Sequence, residues 1–562
     1  MTISKIAKSL WIASAVGLLV FLATNVVPMV AGNDPSATTH VVDRSGAEQA
    51  AEAYVRERTG DAGAELRSFA MYSADRDVFG YFYEAETIAD VQKRWSATLP
   101  LEAYRVEVED AGTGAKHWVD VNPYTGRATE WSLGVAGEPV AGGELEAIGR
   151  QAIADLGWTG AEPELLWADE DVGEAAYALS DPVFGEASAE VSVRADDLRA
   201  TAFTVRWIVP ESYASRIADQ DAKSSALGLI GLLLSGVLQF AAFIYALAQA
   251  GSVRWNRGVL MALVFGVFYC AMNVNMYPGL KATMLDLLNG GDYTGIAELD
   301  GAGAIAGMIG GLVVTNALTL AMAIGLYFSA VAGDTLAARQ GYRLWPQPED
   351  AEYGSHVAAA AKLGYVYAPI LLGVQSILFL FAEQGFRTWY TIDALSSPNN
   401  MAYPLLAPLL AWCAAVSEEA VYRLFAIAAL KRLFAWPLSW ALKPLGASKR
   451  TVGAVALVGA ILLSSMVWAL GHVQYPIYPY YTRFAEVTAL GLLFAFIFLR
   501  HGFLAAVFAH AVVDLIWFGI SVVSSAPTAG GFAAFAFYLA TPAFVALYVR
   551  WSRRDRPAAP IG

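Results

Sequence analysis

Long apolar runs, in which no Lys, Asp or Glu appears for about 20 residues, recur along this chain, and a helix of about that length crosses the hydrocarbon core of a bilayer. Only 16% of the residues are charged, 56% are hydrophobic, and the mean hydropathy is +0.45. A soluble protein would carry about a quarter of charged residues. The chain is therefore predicted to be a polytopic, mainly α-helical membrane bundle.

Charge is distributed unevenly. Residues 33–223 contain 36 acidic and 16 basic residues, whereas the rest of the chain contains 15 acidic and 21 basic residues. This contrast indicates two parts in different solvents. The acidic block has no aromatic-basic motif, which excludes nucleic acid as a partner. The only cysteines, Cys270 and Cys413, lie in apolar runs, so neither a disulfide framework nor a CxxC metal site is predicted.

The first apolar run, 10–31, follows two lysines and has no clear cleavage site. Residues 1–32 are therefore predicted to be a retained transmembrane anchor, with a cleaved signal peptide as the alternative. Nine further spans are predicted, at 226–249, 258–277, 303–332, 359–382, 403–430, 451–472, 484–499, 502–524 and 532–549. Predicted transmembrane spans 2–5 occupy residues 224–400, and spans 6–10, which contain the motifs described below, occupy 401–550. A basic tail follows at 551–562.

The orientation of these ten spans follows from Lys and Arg, which short loops retain on the cytoplasmic side. With the N-terminus inside, the cytoplasmic segments hold 17 Lys and Arg, whereas the outer loops of the membrane part hold only Lys281, Arg387 and Arg483. Both termini are therefore predicted to be cytoplasmic, and residues 33–223 to form an extracytoplasmic domain.

The acidic block has a mixed α and β pattern. Helical patterns at 47–58 and 144–156 are each followed by strand patterns, which suggests two α+β units in tandem. The strands are predicted at 104–109, 116–121, 127–132, 175–179, 189–193 and 202–208. The turn Asn122-Pro-Tyr-Thr-Gly126 joins two of them as a hairpin, and this hairpin resembles the small repeat modules called PepSY.

Ionisable side chains are rare at membrane depth and need a specific reason there. The run at 403–430 contains Glu418, Glu419 and Arg423. Glu419 and Arg423 are four residues apart, so they share a helical face and can pair. Glu418 then has no local partner, and it requires a proton, a metal or a water-filled cavity.

Two histidines and an aspartate add to this set. His472 ends the span at 451–472, and His510 and Asp514 lie four residues apart in the apolar run at 502–524. Each group alone has a purely structural explanation: a hydrogen bond within the core, a polar pair between helices, or an ion pair. Because all of them occur together, the sequence favours one polar cavity that three helices enclose.

The order of the motifs is EExxxR at 418–423, WxxxH at 468–472 and HxxxD at 510–514. Together they resemble the CAAX-processing and bacteriocin-processing (CPBP, or Abi) intramembrane proteases, and are similar to type II CAAX prenyl endopeptidases. The resemblance covers about residues 400–525. Trp468 stands where the family usually has Phe, and Asp514 stands where it often has Asn. An aspartate keeps an acceptor but lacks the amide donor.

The resemblance implies a membrane-embedded endopeptidase acting on a membrane-anchored protein or peptide. Glu418 and His472 would hold and deprotonate a water, and His510 with Asp514 would stabilise the tetrahedral intermediate. Glu419 and Arg423 would support the site, together with Trp468. Two imidazoles and a carboxylate also suit Zn²⁺, so a metal bound by Glu418, His472 and His510 stays an alternative.

Two other functions fit the composition. In one, the outer domain of a non-enzymatic receptor or scaffold binds a ligand and the polar cluster is structural. In the other, buried Glu and His form the relay of a proton-coupled transporter, although the chain shows no repeated halves. The sequence does not determine the substrate or the oligomeric state.

Overall fold

The computed structural model describes residues 7–30, 40–289 and 302–552, apart from positions 136, 392, 394 and 526. Within these residues the chain is mostly helical, and a sheet-rich unit follows the first apolar helix. Lys5, residues 33–39 and the tail arginines 553, 554 and 556, on which parts of the topology prediction depend, lie outside the described residues.

The helices of the sheet-rich unit are short, and most helices elsewhere are long and apolar. In chain order they are α1 (Lys8–Val30), α2 (Arg44–Thr59), α3 (Arg76–Glu84), α4 (Ile88–Trp95), α5 (Gly142–Asp155), α6 (Glu211–Ala248), α7 (Val259–Asn275), α8 (Tyr277–Asn289), α9 (Ala302–Arg339), α10 (Tyr353–Phe386), α11 (Leu409–Glu418), α12 (Ile427–Leu442), α13 (Lys449–Leu470), α14 (Tyr480–His501), α15 (Phe503–Ser525) and α16 (Ala529–Ser552). A π-helical segment, Glu419–Ala426, joins α11 to α12 without a break.

Nine helices in the described part of the chain are long and apolar enough to cross a membrane. The pair α7 and α8, which bends by 52°, brings the number to ten if it is counted as one broken span. A mainly α-helical membrane bundle with an N-terminal α+β domain is therefore confirmed.

The eight long strands form a single antiparallel sheet in the order β1-β2-β3-β4-β8-β7-β6-β5. Their bounds are β1 (Leu66–Ala74), β2 (Glu102–Asp110), β3 (Lys116–Val121), β4 (Ala128–Ser132), β5 (Glu164–Asp169), β6 (Glu174–Leu179), β7 (Ser188–Asp196) and β8 (Arg199–Ile208). Each four-stranded half follows one longer helix, α2 or α5, and the halves meet where Trp131 of β4 pairs with Phe203 of β8. One continuous apolar core runs beneath both halves.

Local sequence explains several boundaries in this sheet domain. The carboxylate of Asp43 accepts a hydrogen bond from the Gly46 amide at the start of α2, and Gly60 ends that helix in the left-handed conformation. In the turn between β3 and β4, the Asn122 side chain accepts a hydrogen bond from the Tyr124 amide at 2.8 Å, which is an Asx-turn.

The sheet domain contacts the membrane bundle directly. The Asn400 side chain exchanges two hydrogen bonds of 2.7 Å with the backbone of Tyr72 in β1, and Lys281 of α8 pairs with Glu107 of β2. Two short strands, β9 (Trp389–Tyr390) and β10 (Ile477–Tyr478), pair beside the sheet domain, and the Trp389 indole donates to Glu84 at 2.8 Å. The sheet domain therefore lies on loops that connect the helices of the bundle.

Candidate active site

Three separate parts of the chain bring the predicted polar residues together. Glu418 is the last residue of α11, and Glu419 begins the π-helical segment. His472 lies two residues beyond the end of α13, and His510 with Asp514 lies within α15. π-Helical turns widen a helix locally and occur often at functional sites. The structure brings all seven predicted site residues, those of the EExxxR motif included, into one connected polar cluster.

Glu419 and Arg423 form the buried base of the site. Their exposed side-chain fractions are 0% and 1%, and the Arg423 Nη1 lies 3.2 Å from the Glu419 Oε1. The same carboxylate oxygen accepts a hydrogen bond of 2.9 Å from the Nδ1 of His510. The Arg423 guanidinium also lies 4.1 Å from the centre of the Trp468 ring. Glu419 therefore orients both a cation and an imidazole.

Glu418 is more accessible than Glu419, with 21% of its side chain exposed. The Trp468 indole donates a hydrogen bond to its Oε2. The Nε2 of His472 lies 3.9 Å from Oε1, and the Nε2 of His510 lies 3.8 Å from Oε2. Both distances are too long for a direct hydrogen bond, and a polar contact of this length is commonly bridged by a water.

The two imidazoles are held in different ways. His472 places its Nδ1 2.9 Å from the carbonyl oxygen of Trp468. Because Nδ1 must carry the proton to donate to a carbonyl, Nε2 keeps a lone pair on the side of Glu418. His510 instead has carboxylates at both ring nitrogens: Glu419 at Nδ1 and Asp514, 3.3 Å away, at Nε2. Its ring also stacks on Phe494.

These contacts bear on the zinc alternative. Among the described residues, no group of three or more His, Cys, Asp or Glu side chains has an arrangement that could hold a metal ion. Both nitrogens of His510 face other carboxylates, so Glu418 and one nitrogen of His472 remain. A catalytic zinc site uses three protein ligands, and the side chains as arranged do not fit one.

A second polar group beside the site was not predicted. Arg483 lies in the first turns of α14 and pairs with Glu486 at 3.0 Å; the Gln375 amide donates to that carboxylate and accepts from Trp517. Arg483 is predicted from the sequence to lie in an outer loop, whereas the structure places it in α14. Its spacing of three residues from Glu486 was the available signal, because such pairs share a helix face.

Tyr475, three residues after His472, was also not predicted. Its ring stacks on that of His472 with centroids 5.9 Å apart, and the Arg483 guanidinium lies 5.4 Å from its centre. Only the packing of the loop after α13 brings it to the site, so no local pattern would have identified it.

Comparison with known proteins finds a similarity in this part of the chain. Residues 400–516 match the family model described as Type II CAAX prenyl endopeptidase Rce1-like. The segment is similar to the Rce1-like endopeptidases. It contains all seven residues of the polar cluster, and the predicted resemblance to the CAAX protease family is confirmed. No curated protein and no solved structure matches the chain.

The Rce1-like domain and the apolar helices together support an integral membrane protein with a CAAX-type protease domain. The match does not extend to the sheet domain or to α1–α10.

Proposed function

We propose that this chain is an intramembrane endopeptidase in which Glu418 and His472 activate a water for attack on a peptide bond. The observation that carries the proposal is the position of Glu418, a partly exposed carboxylate between two imidazole nitrogens at 3.8 and 3.9 Å. A general base must reach the proton that it removes, directly or through one water. The Rce1-like match supports the reaction class.

In the proposed reaction, a water bridges the Oε1 of Glu418 and the Nε2 of His472. Glu418 takes one proton of this water, and the oxygen forms a bond to the carbonyl carbon of the substrate. The π electrons of the carbonyl move onto its oxygen. When the tetrahedral intermediate collapses, the carbon–nitrogen bond breaks and the leaving nitrogen receives the proton from Glu418.

The remaining residues hold this arrangement. Trp468 fixes one oxygen of Glu418, so the other faces His472. Glu419 and Arg423 fix the Nδ1 side of His510, and Asp514 lies at its Nε2. Side chains locked in this way lose little freedom when substrate binds, which is the physical basis of preorganised catalysis.

The substrate is proposed to be a membrane-anchored protein or peptide, because the polar cluster lies on helices that are apolar enough for a bilayer. Both termini are proposed to be cytoplasmic and the sheet domain extracytoplasmic, on the basis of the Lys and Arg distribution. The sheet domain is proposed to select or admit substrates, because the groups of the site all come from residues 418–514.

Glu418→Gln tests the proposal. The variant keeps the shape and the acceptor for Trp468 but removes the base, so peptide hydrolysis should fall by about 10²–10⁴-fold. Purified protein in detergent, supplied with lipid-anchored fluorogenic peptides, gives the rate, and unchanged thermal unfolding serves as the control. A Glu418→Gln protein that cleaves at the wild-type rate would remove this site from the reaction. A receptor or scaffold would cleave no peptide in either form.

Chelation tests the zinc alternative independently. If a water activated by Glu418 and His472 is the nucleophile, a strong chelator should leave the rate unchanged and added Zn²⁺ should not raise it. Loss of activity with a chelator, followed by recovery with Zn²⁺, would favour metal-bound water.

A further inference from the structure

The proposed reaction requires a hydrogen-bond donor for the carbonyl oxygen, because that oxygen gains negative charge as the water attacks. The resemblance to CAAX proteases assigns this role to His510 and the residue at 514. In this chain, Asp514 has no amide group to donate. His510 directs one ring nitrogen to Glu419 at 2.9 Å and the other to Asp514 at 3.3 Å. Its N–H groups are thus directed at carboxylates, and the oxygen needs another donor.

The Tyr475 side chain lies next to the proposed catalytic pair and carries a hydroxyl group. Its ring stacks on His472 at 5.9 Å with an angle of 21° between the planes. The same imidazole has its Nε2 3.9 Å from the Oε1 of Glu418, the proposed base. The Tyr475 ring therefore lies beside the imidazole that is closest to the Oε1 of the proposed base.

The Tyr475 hydroxyl is available to a substrate. The side chain is 48% exposed, and within the described part of the chain its hydroxyl has no hydrogen-bond partner. It also lines a cleft of about 210 Å³, together with Ser224 and Ser225 of α6 and Gln474. A polypeptide in this cleft would contact Tyr475.

Neighbouring residues hold the ring in place. The Arg483 guanidinium lies 5.4 Å from the ring centre, and Glu486 fixes that guanidinium with two contacts of 3.0 Å. On the chain itself, His472 precedes Tyr475 by three residues, so the position of the phenol is tied to that of the imidazole. A donor that is oriented before substrate binds needs no rearrangement during the reaction.

We propose that Tyr475 is a further catalytic residue, whose O–H donates a hydrogen bond to the carbonyl oxygen of the scissile bond and to the oxyanion that forms from it. The inference rests on the proposed peptidase function. The phenol keeps its proton throughout. As the water attacks, the electron pair of the carbonyl moves onto the substrate oxygen and the hydrogen bond shortens. When the carbon–nitrogen bond breaks, the electron pair returns to the carbonyl bond and the hydrogen bond lengthens again. Tyr475 thus replaces the amide donor that Asp514 does not supply.

Tyr475→Phe separates this role from simple packing. The phenylalanine ring keeps the stack on His472 and loses only the hydroxyl. The value of kcat should fall by about 10²–10³-fold, the usual effect of removing one oxyanion donor, while KM and the melting temperature change little. Tyr481→Phe is the matched control, because Tyr481 is also exposed but contacts Phe386 and Tyr480 instead of the site. It should retain the wild-type kcat.

A second substitution provides a rescue. Asp514→Asn introduces an amide donor beside the same oxygen. The kcat of the double variant, Tyr475→Phe with Asp514→Asn, should therefore be at least tenfold higher than that of Tyr475→Phe alone. A structural effect of Tyr475 on His472 would not respond to a donor at position 514. The double variant therefore distinguishes a chemical role from a packing role.

The probe is a quenched synthetic peptide that spans a cleavage site found in cell membranes. Such a site is recognised by a new N-terminus in a membrane protein. This N-terminus must form in cells that express the full-length wild-type chain and not in cells that express Glu418→Gln. If no site depends on Glu418, the proposed function fails and the inference fails with it. If Glu418→Gln is inactive while Tyr475→Phe keeps the wild-type kcat, or Tyr481→Phe is equally impaired, only the role of Tyr475 is refuted. A selective loss with rescue supports it.

Discussion

At the scale of single residues, Glu419 is the most constrained side chain of the site, because it is fully buried and contacts both Arg423 and His510. Glu419→Gln would leave the Arg423 guanidinium buried without its counter-charge. Breaking a buried ion pair from one side usually costs about 3–5 kcal/mol of folding free energy. We therefore expect a lower melting temperature in detergent as well as lost activity, whereas Glu418→Gln should affect activity alone.

A double variant provides the control for this prediction. Replacing Glu419 by Gln and Arg423 by Met together removes both charges, and exchanging a whole buried pair for neutral groups is often close to neutral for stability. The double variant should therefore melt at a higher temperature than Glu419→Gln. Equal melting of wild type and Glu419→Gln would show that the pair contributes little to the fold.

Residue spacing predicted part of this site. The separation of four residues between Glu419 and Arg423 was enough to predict their pairing, since it places both on one helix face. The contact of Glu419 with His510 joins residues 91 positions apart, and only the packing of α15 on the π-helical segment creates it. The role of Trp468 as a donor to Glu418 likewise depends on how two helices meet.

At the scale of elements, α6 links the sheet domain to both sides of the site. In its first third, Asp221 pairs with Arg76 of α3 at 2.8 Å. Further along, Gly231 packs on the backbone at Leu470 and Gly471, directly before His472. One turn later, the Ser235 hydroxyl lies 2.6 Å from that of Tyr422, within the π-helical segment. A displacement of α6 would therefore reach Glu418 and His472 together.

Gly231→Ala tests this contact. An added Cβ would lie 2.8 Å from Leu470 and 2.9 Å from the Gly471 nitrogen, so the loop that carries His472 must move. Overpacking of this kind typically costs about 1–3 kcal/mol, and the peptidase rate should fall with it. Gly236→Ala is the matched control, because nothing lies within 4 Å of its added Cβ. Equal rates for the two variants would contradict a role of α6 in positioning His472.

The sheet domain shows which elements sequence patterns miss. The helices α2 and α5 and the predicted strands are present because their apolar periodicity is regular. The 9-residue α3 and the 8-residue α4 were not predicted, since helices this short depend on tertiary packing for stability. Strand β5 was not predicted either; it is an edge strand that is exposed along most of its length, so it lacks alternation. The pairing of β4 with β8 is non-local and has no sequence signal.

At the scale of the whole molecule, contacts group the loops of the bundle into two sets. The sheet domain contacts Lys281, Trp389 and Asn400, all in loops predicted to lie outside. In the second set of loops, Arg257 donates hydrogen bonds to the carbonyl oxygens of Trp345 and Pro346, and Lys431 donates one to the hydroxyl of Tyr342. These residues belong to loops predicted to be cytoplasmic. The grouping agrees with the odd–even order of spans that the topology proposal requires.

Cysteine labelling tests that topology. In a background without Cys270 and Cys413, Asp171→Cys would place a thiol on the sheet domain, and Leu445→Cys would place one after α12, where the native side chain is 79% exposed. Because 17 basic residues lie on the proposed cytoplasmic segments and three on the outer loops, an impermeant maleimide added to intact cells should label position 171 and not 445. Permeabilised cells should show labelling at both positions, which controls for accessibility. If both thiols react in intact cells, or only the thiol at 445 does, the extracytoplasmic placement of the sheet domain is wrong, and substrates would then meet this domain in the cytoplasm.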